Sequence, residues 1–398
     1  MALEADATGW QVRRRLLIAV LALPLFGSCS SPPRATQVSD TPAGAFEASL
    51  AVVHDGFVTT WYDTRHGHGE IYARRLSLDG TPIGPERRLT TGDVDAFEAD
   101  VAPLRDGFAV GWWEKVTNGR TRAKVGAWAA DGTSRWVQTL SNRGRNTVVR
   151  TLGGLIFVAW IQDESADRAG VWITWRRADN VELIAPRRVA DASSTTFNLN
   201  AVIDPDASPG NPRAWVVFDA KAGTKASEIF LVETTETADR LVRLTPDDGA
   251  DSKYPDVALS QGRAALTWFD LKDGNEEVYL TVGDRGAYLE GRSPAWMRIT
   301  STSGHSIGAY VAWNGTRFGL VWCDNTPGNQ EVFFQSFDRD GGTRSDVQRI
   351  TNTAPQSGIP AIKGVSGGFA LVWNEYNAPA GDTHGTNHPS QVFFRLVK

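Results

Sequence analysis

Along most of this chain apolar residues come in short unbroken runs, each separated from the next by a polar, glycine-bearing stretch. Runs such as residues 107–112, 156–160, 318–322 and 369–373 are too short for buried helices and are bounded by turn residues, so they predict strands. Side chains alternate between the two faces of a strand. In residues 107–112 one face carries Phe108, Val110 and Trp112, and the other the small Ala109 and Gly111. A strand apolar on both faces belongs to a sheet covered on both sides. Large residues on one face and small ones on the other let adjacent sheets nest.

A phrase recurs around these runs. It reads Trp61-Tyr62-Asp63, then Gly67, then Glu70-Ile71-Tyr72, and returns at Trp268-Phe269-Asp270, Gly274, Glu277-Val278-Tyr279 and at Trp322-Cys323-Asp324, Gly328, Glu331-Val332-Phe333. Weaker copies carry Trp112/Glu114, Trp160/Gln162, Val217/Asp219 and Trp373/Glu375. Seven units with a period of about 50 residues match the length of a four-stranded propeller blade. A fourth strand ends in Arg88-Leu89-Thr90, Arg243-Leu244-Thr245, Arg298-Ile299-Thr300 and Arg349-Ile350-Thr351. The last unit reaches Lys398 after its third strand, while residues 35–47 align without a gap to residues 86–98. Residues 36–39 are therefore expected to pair with residues 391–396 and complete the last blade, which would leave no open sheet edge. The expected fold is all-β, a seven-bladed β-propeller of four-stranded antiparallel blades closed by an N-terminal strand.

The pairing of Trp-x-Asp … Gly-x-x-Glu-Ile-Tyr with Arg-Leu-Thr … Pro-Asp-Val-Ala resembles the propeller repeats of TolB-type and related bacterial cell-surface proteins. The resemblance covers nearly all of residues 35–398. It implies the propeller and says almost nothing about activity, because such propellers host binders, scaffolds and enzymes alike.

Arg13-Arg14-Arg15, the apolar residues 16–26 and then Gly27-Ser28-Cys29 read as a secretory signal, too short to span a membrane. The cysteine after Gly-Ser resembles the bacterial lipobox, with Phe26 where Leu is usual. The resemblance implies cleavage before Cys29 and its lipidation. The expected organisation is a signal peptide at residues 1–28, a lipidated tether at 29–34 and the propeller at 35–398. The expected location is the bacterial cell envelope, in the outer membrane and facing either the periplasm or the surface, with the membrane contacted through the lipid alone. A net charge of −5 argues against a nucleic-acid partner. Of the two cysteines, lipid would consume Cys29, leaving Cys323 as buried apolar filler and no intrachain disulfide.

Candidate chemistry is sparse. The acid pair Asp63/Glu70, repeated at Asp270/Glu277 and Asp324/Glu331, reads as turn structure, because an enzyme needs one site rather than several copies. Calcium bound at these turns is the alternative. Antiparallel order places Glu47, Glu98, Asp100, Asn198, Tyr254 and Asp256 at the mouth of the central channel, where they would bind a cation, a basic group or sugar hydroxyls. Four of the six histidines, His66, His68, His384 and His388, lie in corresponding loops of the first and seventh blades. Ring closure makes those blades neighbours, and the imidazoles are a candidate zinc site. No His-Glu-x-x-His or phosphate-cradling glycine loop occurs. These features point to an envelope-anchored, non-catalytic binding or scaffolding module whose partner is an envelope protein or a glycan. The alternatives are a glycan-active hydrolase or lyase using carboxylates at the mouth, and a metal-binding envelope protein.

Overall fold

The computed structural model describes residues 34–116, 119–196, 198–377 and 388–398. They form seven four-stranded antiparallel sheets. The inner strands, in blade order, are Ala45–Val53, Asp95–Leu104, Gly144–Leu152, Leu199–Ile203, Ser252–Leu259, Ser306–Trp313 and Gln356–Val365. Each touches the inner strand of the next blade, and the last touches the first, so the sheets close into a ring. Six sheets take their strands in simple sequence order. The seventh runs Thr36–Gln37, Ser390–Val397, Gly368–Tyr376, Gln356–Val365. Thr36 stands opposite Phe394 and Gln37 opposite Phe393, and the Val38 amide donates to the Val392 carbonyl at 2.7 Å.

The core is a set of seams between blades. Every residue of the second strand Gly56–Asp63 is buried, as the two-faced apolar pattern requires. The seam between blades 7 and 1 gathers Val38, Leu50, Phe57 and Trp61 with Ala370, Val372, Val392 and Phe394. Gly111 shows why small residues alternate with large ones there. A Cβ at that position would lie 2.8 Å from Val149 of the next blade.

The repeated acid pair is a hydrogen-bonding hub. Asp63 accepts the Trp61 indole N–H at 3.2 Å and the Arg65 amide at 2.9 Å. Glu70 accepts the Arg88 guanidinium at 2.7 Å and the Thr90 hydroxyl, while Thr90 Oγ1 in turn accepts the Ile71 amide at 2.9 Å. The set returns at Trp268/Asp270 and at Glu331, Arg349 and Thr351. Thus the two halves of the repeat, distant in sequence, are halves of one network tying the second, third and fourth strands together.

Blade 5 departs from the sequence reading. Between its third and fourth strands stands a short helix, Arg285–Leu289, whose first turn is capped by Asp284 accepting from the Ala287 amide at 3.2 Å. Five residues are too few to show helical periodicity. The helix is held by tertiary contacts: Arg285 pairs with Asp204 and Asp206 of blade 4, and Tyr288 is buried edge-on against Trp215.

Candidate functional site: the central channel

The inner strands are irregular where they enter the channel. Pairing with the second strand slips between Phe46/Ser49, Phe97/Asp100, Arg145/Val148, Lys253/Asp256, Ile307/Tyr310 and Gly358/Ala361. Each slip is a bulge containing one residue in the left-handed region: Glu47 (φ 52°), Glu98 (49°), Asn146 (47°), Tyr254 (55°), Gly308 (60°) and Ile359 (51°). Such a backbone costs on the order of 1 kcal/mol or more for residues other than glycine, and it often marks active sites. Here it repeats from blade to blade, so it belongs to the ring rather than to one catalytic residue. Blade 4 pairs without a slip, and Asn198 precedes its inner strand.

The bulges aim side chains into an open cavity of about 1030 Å³ lined by all seven inner strands. Glu47, Glu98, Asn146, Asn198 and Tyr254, at or near the start of their inner strands, line one layer of it. Glu98 accepts the Asn146 side-chain amide at 2.7 Å and lies beside the Trp113 indole. Burial raises the Glu98 carboxyl to about 7 against the pull of Trp113, Arg145 and Asn146. Burial, and then the Glu98 charge, push Glu47 well above the usual carboxylate range. The hydroxyls of Tyr62, Tyr254 and Tyr310 are raised first by burial and then by surrounding carboxylates, Glu47 among them in each case. Tyr254 stacks on Phe269 with ring centres 5.4 Å apart, and both line the cavity.

Two of the expected mouth residues sit deeper and have structural work. Asp100 accepts the Val149 amide of blade 3 at 2.8 Å, and Asp256 accepts the Val311 amide of blade 6 at 2.9 Å. Ser49 does the same for Val101 at 3.3 Å. These contacts hold each blade to the next. Burial raises Asp256 to about 6.

Further along the inner strands lie two cations that the sequence reading missed. Arg150 pairs with Asp100 at 2.6 Å and donates to the Ala201 carbonyl. Lys363 faces Arg150, Asp100 and Asp256 without a hydrogen bond to any of them, and burial, then Arg150, lowers its pKa. Their signal was available: each is a charged residue in an apolar inner-strand run, Val149-Arg150 and Ile362-Lys363. Asn146 and Tyr310 were missed as well. Asn146 stands at the same offset before the second strand, nine residues ahead of Leu155, as Glu98 ahead of Gly107.

His66 and His68 have partners close by in sequence and in the following linker. His66 hydrogen-bonds the Tyr72 hydroxyl at 2.7 Å, and His68 contacts Glu70 and the Gly92 carbonyl, each at 2.8 Å. His384 lies outside the described residues, and His388 lies just before the third strand of blade 7. Among the described residues no three His, Cys, Asp or Glu side chains converge as metal ligands. Cys323 is buried, its thiol pushed up to about 12 by desolvation. No helix among the described residues is long and apolar enough to cross a membrane.

No protein-family model matches the chain, and no curated protein matches it in sequence. Solved structures match in fold. Phage phi92 endosialidase superposes with a TM-score of 0.56 at 10% identity, over 92% of this chain and 69% of that one. The polysaccharide lyase Uly1 gives 0.52 at 10% identity, over 90% and 91%. An oligogalacturonate lyase in complex with manganese gives 0.50 at 14% identity, over 92% and 97%. Likeness at such identities is likeness of fold. The class is therefore clear: an all-β, seven-bladed propeller with four-stranded antiparallel blades.

Proposed function

We propose that this chain is a ligand-binding propeller of the bacterial cell envelope, held there by lipid on Cys29, with the channel mouth as its non-catalytic binding site. One observation carries the reading. A cavity of about 1030 Å³ opens at a layer where Glu47, Glu98, Asn146, Asn198 and Tyr254 present polar atoms beside aromatic rings. That volume suits a ligand of a few sugar rings, and a mixed polar and aromatic lining is what such ligands need. The acids beneath this layer, Asp100 and Asp256, are engaged with backbone amides of neighbouring blades, which leaves recognition to the mouth.

A second reading has its own support. Glu47 and Glu98 share the cavity, and one of the pair is raised to about 7, the property a glycosidase needs in its general acid. One experiment separates the two. The full chain in detergent is incubated with a panel of envelope oligosaccharides; calorimetry reads binding and mass spectrometry reads cleavage. Binding without new chain ends is expected. New ends that disappear in Glu98→Gln would replace the binding module with an enzyme, and a panel that neither binds nor reacts would remove the mouth as a glycan site.

A further inference from the structure

We infer that the mouth selects amine-bearing sugars, with a ligand ammonium group seated between the carboxyls of Glu47 and Glu98. This deepens the binding reading above and rests on it.

The argument begins with a missing counter-ion. Among the described residues Glu47 accepts no hydrogen bond, and Glu98 accepts that of Asn146. The basic group nearest the pair, Arg145, is turned elsewhere: it pairs with Asp163 at 3.2 Å and donates to the carbonyls of Ser194 and Thr196. The remaining groups facing the pair are the neutral hydroxyls of Tyr62, Tyr254 and Tyr310, with Asp95 and Asp219 adding further negative charge around those tyrosines. Two partly desolvated carboxyls in one cavity with no ion-paired cation, and only the longer-range pull of Arg145 on Glu98, are costly, and an entering ammonium relieves both the repulsion and the desolvation.

A second observation is independent of the acids. Thr147, only 2% exposed, and the Asn198 side-chain amide both line the cavity, and Thr147 Oγ1 and Asn198 Nδ2 are buried without a hydrogen-bond partner. Both atoms lie just beneath the cavity surface, so a hydroxyl-rich ligand would satisfy them only after a rotation of the two side chains. Together with the Tyr254–Phe269 stack they favour a sugar ring over a bare cation. In the deeper channel Asp100 is already paired with Arg150, and Lys363 faces Asp100 and Asp256, so an entering ammonium finds no acid without a cation there.

The test uses the full chain in detergent and matched tetrasaccharides: glucosamine, N-acetylglucosamine and galacturonate, with tetralysine as the non-sugar cation. Calorimetry near neutral pH should show the glucosamine tetramer binding at least about tenfold tighter than its N-acetylated form, about 1.4 kcal/mol. Galacturonate should not bind. Glu47→Gln and Glu98→Gln, each checked for folding by circular dichroism, should both abolish the preference. Because the carboxyls must release protons to pair with the ligand, binding heat should vary with the buffer's ionisation enthalpy. Equal or tighter binding of either non-cationic sugar overturns the inference while leaving the mouth a glycan site. Equal binding of tetralysine overturns the sugar. Silence from all four probes overturns the inference alone if the wider panel binds, and the mouth reading with it if the panel is silent too.

Discussion

Asn374 on blade 7 donates its side-chain amide to the carbonyl of Ala45 on blade 1 at 2.6 Å, and its own oxygen accepts the Ala48 amide at 3.4 Å. It stands where other blades carry Tyr62, Phe269 or Cys323, so a polar residue has replaced packing at the seam that joins the last blade to the first. Both partners are main-chain groups beside the Glu47 bulge, and water does not reach them. Asn374→Ala would leave a buried carbonyl unpaired, at a cost of about 1–3 kcal/mol. Urea unfolding of the variant should show a lower midpoint with an unchanged slope. An unchanged midpoint would mean that the amide contributes nothing to the seam.

The outer strand of blade 7 gives a second expectation. Val38 is fully buried among Leu50, Trp61 and Phe394, and Ser39 Oγ accepts the Val392 amide at 2.8 Å while donating to Gln391. Val38→Ala should cost about 1–3 kcal/mol from lost burial and the cavity left behind. Deleting residues 36–39 should lower the melting temperature further, since it also strips hydrogen bonds from the third strand. A deletion variant that melts with the parent would show that the ring does not depend on this strand.

The ring was legible in the sequence because its determinants are local and repeated. Trp61, Asp63 and Glu70 recur with fixed spacing, and Glu70 and its counterparts Glu277 and Glu331 each accept an arginine of the fourth strand. The bulges were not legible, because they depend on register against the neighbouring strand, and the residues they carry (Glu47, Asn146, Tyr254, Ile359) share no chemistry. Antiparallel order alone brought Glu47, Glu98 and Tyr254 to the mouth, whereas Asn146 and Tyr310 went unnoticed. The burdens on Asp100 and Asp256 were also hidden, since nothing in a sequence shows which carboxylate meets the next blade's amide.

Lipid anchoring rests on Gly27-Ser28-Cys29 and is tested apart from the fold. Each buried methylene contributes about 0.8 kcal/mol, so a multiply acylated Cys29 holds the chain firmly where one acyl chain would not. Cys29→Ser should move the protein from the membrane fraction to the soluble fraction of its host. Continued sedimentation with membranes after a high-salt wash would count against lipidation at this residue.

Glu228 is the odd member of the repeated hub, and its pH dependence can be read. Glu70 and Glu331 each hold an arginine, Arg88 at 2.7 Å and Arg349 at 3.0 Å. Glu228 accepts the Thr245 hydroxyl at 2.5 Å, but its second oxygen is buried with no partner. Desolvation therefore dominates and raises its pKa to about 7, with Asp248 and Asp247 adding to the rise. Burial likewise raises Glu98 to about 7, and Asp219 and Asp256 to about 6. Each of these groups holds its proton more tightly folded than unfolded, where a carboxyl titrates near about 4. Between those values the folded state binds more protons, so stability falls as pH rises from about 4 to about 7 and levels off above. The parent should melt higher at about pH 5 than at about pH 8. Glu228→Gln removes one of these buried charges while keeping an acceptor for Thr245. It should raise the melting temperature at about pH 8 and leave it nearly unchanged at about pH 5, where Glu228 is already protonated. A gap between variant and parent that is the same at both pH values would show that the charge on Glu228 is compensated after all.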